Sequence, residues 1–155
     1  MGAARFRYAL EPVALQRQWT LDALLRDLSD CNAELARRRA ACDVVLEQLA
    51  QAGREWKALG AHGQAVQVDR FALLSRYMAD RRRQVLEMEQ LIAASQQQRQ
   101  TLIAQVAQGQ RAVDAVEEHR GQMRKQFIRD RLSGDFKIAD DQWSVMQTAR
   151  ISDGD

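Results

Sequence analysis

Apolar residues recur along this chain at seven-residue intervals, in two pairs of lines separated by a glycine-bearing stretch. The first line runs Leu21, Leu28, Leu35, Cys42, Leu49 and Trp56, and the second Leu24, Cys31, Arg38, Val45, Ala52 and Leu59. Beyond the glycines come Phe71, Met78, Val85, Ile92, Arg99, Val106 and Val113, beside Leu74, Arg81, Met88, Ser95, Leu102, Gly109 and Val116. A spacing that alternates three and four residues places both lines on one narrow face of a helix, which is the seam of a coiled coil. If the chain reverses near residue 65, one register serves all four lines, with facing residues whose numbers add to about 130. That register sets Trp56 level with Leu74, Leu59 with Phe71, Cys42 with Met88, and Leu28 with Leu102. The pattern therefore predicts an all-α fold, a long two-helix antiparallel coiled-coil hairpin with a short, partly disordered C-terminal tail.

The expected boundaries follow from local signals. Residues 1–10 form a lead-in in which Arg5 and Arg7 alternate with Phe6 and Tyr8. The hairpin covers 11–132. Its first helix opens at Glu11 or Pro12, the only proline and a residue suited to a first helical turn. Gly60 and Gly63 mark the turn, about 60–66. The second helix starts between Ala65 and Asp69 and is expected to stop at Ser133-Gly134-Asp135. The tail, 133–155, has enough apolar positions for a short amphipathic helix. Within the seam, Arg38, Arg81 and Arg99 interrupt the apolar lines, and polar seam residues commonly fix register. Gly109 is expected to leave Leu21 facing a gap.

Composition favours helices, since more than half of the chain is Ala, Leu, Gln, Arg, Lys or Glu. A net charge of +2 is not that of a strongly basic nucleic-acid protein. The clusters Arg37–Arg39 and Arg81–Arg83 also span successive helix faces, so nucleic acid is not an expected partner. No apolar run approaches the roughly 20 residues that span a bilayer. The opening residues lack a signal-peptide core, and Phe6 stands where a myristoylation motif needs Ser or Thr. A cytoplasmic protein with no direct membrane insertion is expected. Cys31 and Cys42, about 16 Å apart along one helix, are too distant for a disulfide with each other and read as small seam residues.

No catalytic constellation emerges. His62 and His119 fall at opposite ends of the hairpin, no phosphate-cradling glycine loop is present, and the carboxylates are dispersed. The expectation is a non-enzymatic protein without cofactor or metal. The nine aromatic residues fall into two groups: Phe6, Tyr8, Trp19, Phe127, Phe136 and Trp143, and then Trp56, Phe71 and Tyr77. Large aromatics are frequent interface anchors, although Trp56, Phe71 and Trp19 could equally close the ends of the seam. Tyr77 lies off both seam lines.

Residues Phe6-Arg7-Tyr8-Ala9-Leu10-Glu11-Pro12-Val13 resemble the FR-x-LEP-hydrophobic opening of the flagellar export protein FliJ and its YscO-type injectisome relatives. That family is also of this length and hairpin form. The resemblance implies a central stalk of a type III secretion ATPase, with the paired termini entering a hexameric ATPase ring. The opposite end contacts an export-gate membrane protein, and some members bind export chaperones. The ring-binding residues implied here are Arg5, Phe6, Arg7, Tyr8, Pro12, Arg120, Arg124, Lys125, Phe127 and Arg129. Those implied at the gate-facing tip are Trp56, Leu59, Phe71, Leu74, Tyr77 and Met78. Only Phe6 to Val13 match the motif directly; the other positions follow from the hairpin geometry. A chain rich in Arg, Ala and Gln rather than Glu and Lys leaves the flagellar and the animal- or plant-pathogen type open. A cytosolic coiled-coil adaptor or chaperone that binds a partner helix is the alternative.

Overall fold

The computed structural model describes residues 5–61 and 68–152, with side chains described as far as 147. Two helices account for almost all of them: α1, Glu11–Ala61, and α2, Val68–Ser152. Glu11 supplies an acid to the first turn of α1 and Asp69 to that of α2, each favourable at the positive end of a helix. The lead-in enters α1 through a tight turn in which Glu11 N donates to Tyr8 O at 3.3 Å and Ala14 N to Leu10 O at 3.0 Å. Pro12 sits one residue inside, where its missing N–H removes no intrahelical bond. Of the expected turn, Gly60 and Ala61 are helical, and residues 62–67, His62 among them, lie outside the described residues.

Helix α2 does not stop at Ser133-Gly134-Asp135. It continues through that triplet to Ser152 and takes in the segment expected to be a separate tail helix. A glycine weakens a helix interior by only about 1 kcal/mol, and there is no proline to remove a hydrogen bond or force the backbone aside. Without an alternative set of contacts, a Ser-Gly-Asp triplet is too weak a signal to end a long helix.

The chain divides into two compact units, each drawing on both helices. One holds Asp22–Ala107, and the other Met1–Leu21 with Gln108–Asp155. In the first unit, every position on the four seam lines is buried or half-buried, and among its described residues only Glu34, Gly53 and Gln84 join them from off the lines. Cys42, Val45 and Val85 form a buried cluster, with Met88 and Ile92 packed against it. Cross-helix pairs such as Arg38 with Leu91 and Asn32 with Arg99 have numbers adding to 129 and 131, so the helices run antiparallel in the expected register. Both cysteines are free and buried.

The arginines in the seam are resolved by polar contacts rather than exposure alone. Arg38 donates from Nη1 to Ser95 Oγ at 2.7 Å and to Leu91 O at 3.1 Å, and from Nε to Glu34 Oε1 at 2.9 Å. Ser95, the buried polar residue of this core, accepts at its carbonyl from Cys31 Sγ at 3.7 Å. One turn further on, Arg99 Nε donates to Asn32 Oδ1 at 2.7 Å. These adjacent layers form a polar belt within an apolar seam. Glu34 also accepts from Arg37, at 2.7 Å from Nη2. The Arg37 hydrogen bond and then that of Arg38 hold its carboxyl below the ordinary glutamate range.

In the other unit the helices are again antiparallel, with Arg17 Nη1 donating to Ala112 O at 3.0 Å. The gap expected beside Gly109 does not expose Leu21, which at 3% is the most enclosed residue of the core. Trp19 does not close a seam end: it is 67% exposed. Position 19 falls on neither heptad line, so its ring points away from the partner helix.

Candidate functional site

The residues of the lead-in motif converge on α2. Tyr8 Oη lies 2.9 Å from His119 Nδ1 and 3.3 Å from the carbonyl of Val116. A hydroxyl has one proton to give. The arrangement is fully satisfied when Tyr8 donates to the carbonyl and accepts from an Nδ1–H of His119. The two rings meet at 5.7 Å, tilted by 52°. Arg120 lies over the other part of the site, its guanidinium carbon 5.1 Å from the centre of the Tyr8 ring. It is ion-paired to Glu11 at 2.5 Å and to Glu117 at 3.2 Å. Phe6 packs on Phe127 with centroids 5.7 Å apart. The result is a clasp in which an extended segment, too short for a helix of its own, takes over the seam where α1 gives out.

This geometry separates the basic residues that the sequence grouped together. Arg120 is half-buried and neutralised by two glutamates, so it holds the clasp rather than offering a free charge. Arg5, Arg7, Arg124, Lys125 and Arg129 are exposed, as is Pro12, while Phe6, Tyr8 and Phe127 are half-buried. The part played by His119 and Glu11 was not foreseen. A signal for Arg120 and Phe127 did exist, because sevens counted on from Val113 reach Arg120, Phe127 and Gly134, all half-buried.

The second group of aromatic residues lies in the other unit. Trp56 and Phe71 meet across the seam with ring centroids 3.9 Å apart and planes tilted by 57°, half a heptad from the level partner Leu74. Trp56, Leu59, Phe71, Leu74 and Met78 are half-buried, as seam positions should be. Tyr77 is 39% exposed and carries Arg81 against its ring at 5.1 Å. Arg81 pairs with Asp80 at 3.2 Å, but its Nε is buried without a partner. Asp80 also binds Arg83 at 2.7 Å. That hydrogen bond, more than the nearby Arg81 charge, holds the Asp80 carboxyl below the usual aspartate range and raises Arg83. Ala52, Leu73, Leu74 and Tyr77 line a shallow groove beside this cluster.

Among the described residues no group of three or more His, Cys, Asp or Glu could hold a metal ion. No helix there is long and apolar enough to cross a membrane. None of the family models, characterised proteins or solved structures compared with the chain matches it.

Proposed function

We propose that this protein is the non-enzymatic central stalk of a type III secretion ATPase complex, working in the cytoplasm at the inner face of the membrane. In this reading the end that carries Phe6, Tyr8 and Phe127 inserts into a hexameric ATPase ring. The end that carries Trp56, Phe71 and Tyr77 meets the export gate, and export chaperones are further candidate partners. The observation that carries the reading is the lead-in motif from Phe6 to Val13, whose aromatic residues are pinned to α2 beside a row of exposed cations. Arg124, Lys125 and Arg129 together with Arg5 and Arg7 give that end a positive surface suited to acidic or polar pore loops.

The test is ATP hydrolysis by a type III secretion ATPase in the presence of this protein. Added protein should stimulate it, and do so less as salt rises, because the cations are exposed and screened. Replacing Arg124 and Lys125 by glutamate should remove the stimulation without changing helicity. Stimulation unaffected by that double change would overturn the ring assignment. If the unaltered protein gives none, the coiled-coil adaptor becomes the better reading, with the Leu73–Tyr77 groove as its contact surface.

A further inference from the structure

The lead-in is attached to α2 by side chains alone. Arg5 and Arg7 are exposed while Phe6 and Tyr8 are half-buried, the alternation of an extended strand laid on a surface. Among the described residues no backbone hydrogen bond joins this segment to α2. The two backbone bonds outside the helices, Glu11 N to Tyr8 O and Ala14 N to Leu10 O, belong to the turn into α1. A segment held in this way leaves without breaking a ladder, and α2 beneath it keeps its own helical hydrogen bonds. What it uncovers is a built surface: the Phe127 ring, His119 Nδ1, the Val116 carbonyl and the Arg120 guanidinium. One donor of that surface is unused in the closed clasp. Arg120 Nε is buried without a hydrogen-bond partner, although the two Nη atoms are paired with Glu11 and Glu117. A buried donor left unmade carries a desolvation penalty that a different occupant can relieve.

We propose that this surface of α2 is a peptide-recognition site in which the lead-in sits as an internal stand-in. Its ligand is an extended segment of a partner protein that carries an aromatic residue and, two positions later, a tyrosine. The occupant already seated sets that chemistry. The first ring packs on Phe127, and the second meets His119 and Arg120. The tyrosine hydroxyl bridges the Val116 carbonyl and His119 Nδ1. The partner's segment adds a carbonyl oxygen for Arg120 Nε, which gives it an advantage over the lead-in. The lead-in of a second copy has no such advantage. It offers the same contacts as the tethered one, whose effective concentration is on the order of millimolar, so exchange between copies is not favoured in more dilute solution. The inference rests on the clasp geometry alone and not on the stalk reading.

The probe is a fluorescein-labelled peptide with the sequence of residues 5–10, titrated by anisotropy with the full-length chain. Phe6→Ser with Tyr8→Ser empties the site in cis, and this variant should bind the peptide about tenfold more tightly than the unaltered chain does. That ratio corresponds to a clasp closed about nine times in ten, and with a millimolar tether it sets the peptide's Kd at about 0.1 mM. Adding Phe127→Ser to the double variant should abolish binding while circular dichroism stays helical. A peptide with serine in place of both aromatic residues should not bind. Should the double variant lose helicity, Tyr8→Ser alone, which keeps Phe6 on Phe127, gives the same comparison. Equal binding by the open and unaltered chains, binding by neither, or binding that survives the Phe127 change or the serine peptide each overturns the site. If sedimentation shows the unaltered chain dimerising and the double variant monomeric, the occupant is the lead-in of a second copy and the partner assignment is overturned.

Discussion

Arg38 and Ser95 show how one pair of side chains sets the register of a repeating seam. Apolar layers seven residues apart are nearly interchangeable, whereas a guanidinium that donates to Ser95 Oγ, Leu91 O and Glu34 fits one alignment only. Ser95→Ala should lower stability by about 1 kcal/mol, the net value of a typical hydrogen bond, measured by urea denaturation. Arg38→Leu with Ser95→Leu should raise the melting temperature, because apolar residues replace desolvated polar groups. It should also broaden the distance distribution between spin labels at residues 28 and 102. A narrow, unshifted distribution would show that the polar belt does not hold the register. Acid should act through Glu34. Its carboxyl is held below the ordinary glutamate range by Arg37 and Arg38, so its stabilisation is complete above that range and fades as the pH falls through the lowered value. Glu34→Gln should flatten the acid limb of a stability–pH profile at low salt. The seam arginines were visible in the sequence as breaks in the apolar lines. Their partners were not, because Ser95, Glu34 and Asn32 are ordinary helix-surface residues until the register brings them close.

At the scale of elements, the heptad lines are legible because burial in a two-helix seam depends on little except spacing. Every line position from Leu24 to Val116 is covered. The end of α2 was misread because Ser-Gly-Asp is a stop signal of modest strength and its outcome depends on what the following residues can do. A methyl group at Gly134 would meet nothing within 4 Å. Gly134→Ala should therefore stabilise the C-terminal part of α2 by about 0.5–1 kcal/mol, seen as slower amide exchange over residues 130–147. Faster exchange there would mean that the glycine is needed for a conformation other than the helix. The clasp was half legible. Its motif is in the sequence, but a Tyr–His hydrogen bond between residues 111 apart follows from no periodicity, and extending the seam line by sevens was the one available clue.

For the molecule as a whole, the distribution of aromatic residues separates stability from recognition. Trp56 and Phe71 lie in the seam, so changing them mixes lost packing with lost contact. Tyr77→Ala removes an exposed ring whose interaction with Arg81 is worth roughly 0.5–1 kcal/mol, and it leaves the seam lines intact. If this end meets the export gate, that variant should fold normally, stimulate the ATPase normally and secrete poorly; normal secretion would remove Tyr77 from the gate contact. The clasp at the lead-in sets a condition of a different kind, on timing. Any partner that grips Phe6 and Tyr8 directly must meet a chain in which both rings are already occupied, by Phe127 and by His119 and Arg120. Only the fraction of molecules with the clasp open can then bind, and the observed affinity is reduced by that fraction. Tyr8→Phe, which keeps the ring and loses the hydroxyl, should enlarge the open fraction and quicken association with such a partner in stopped-flow mixing; an unchanged rate would mean that the clasp sets no limit on first contact.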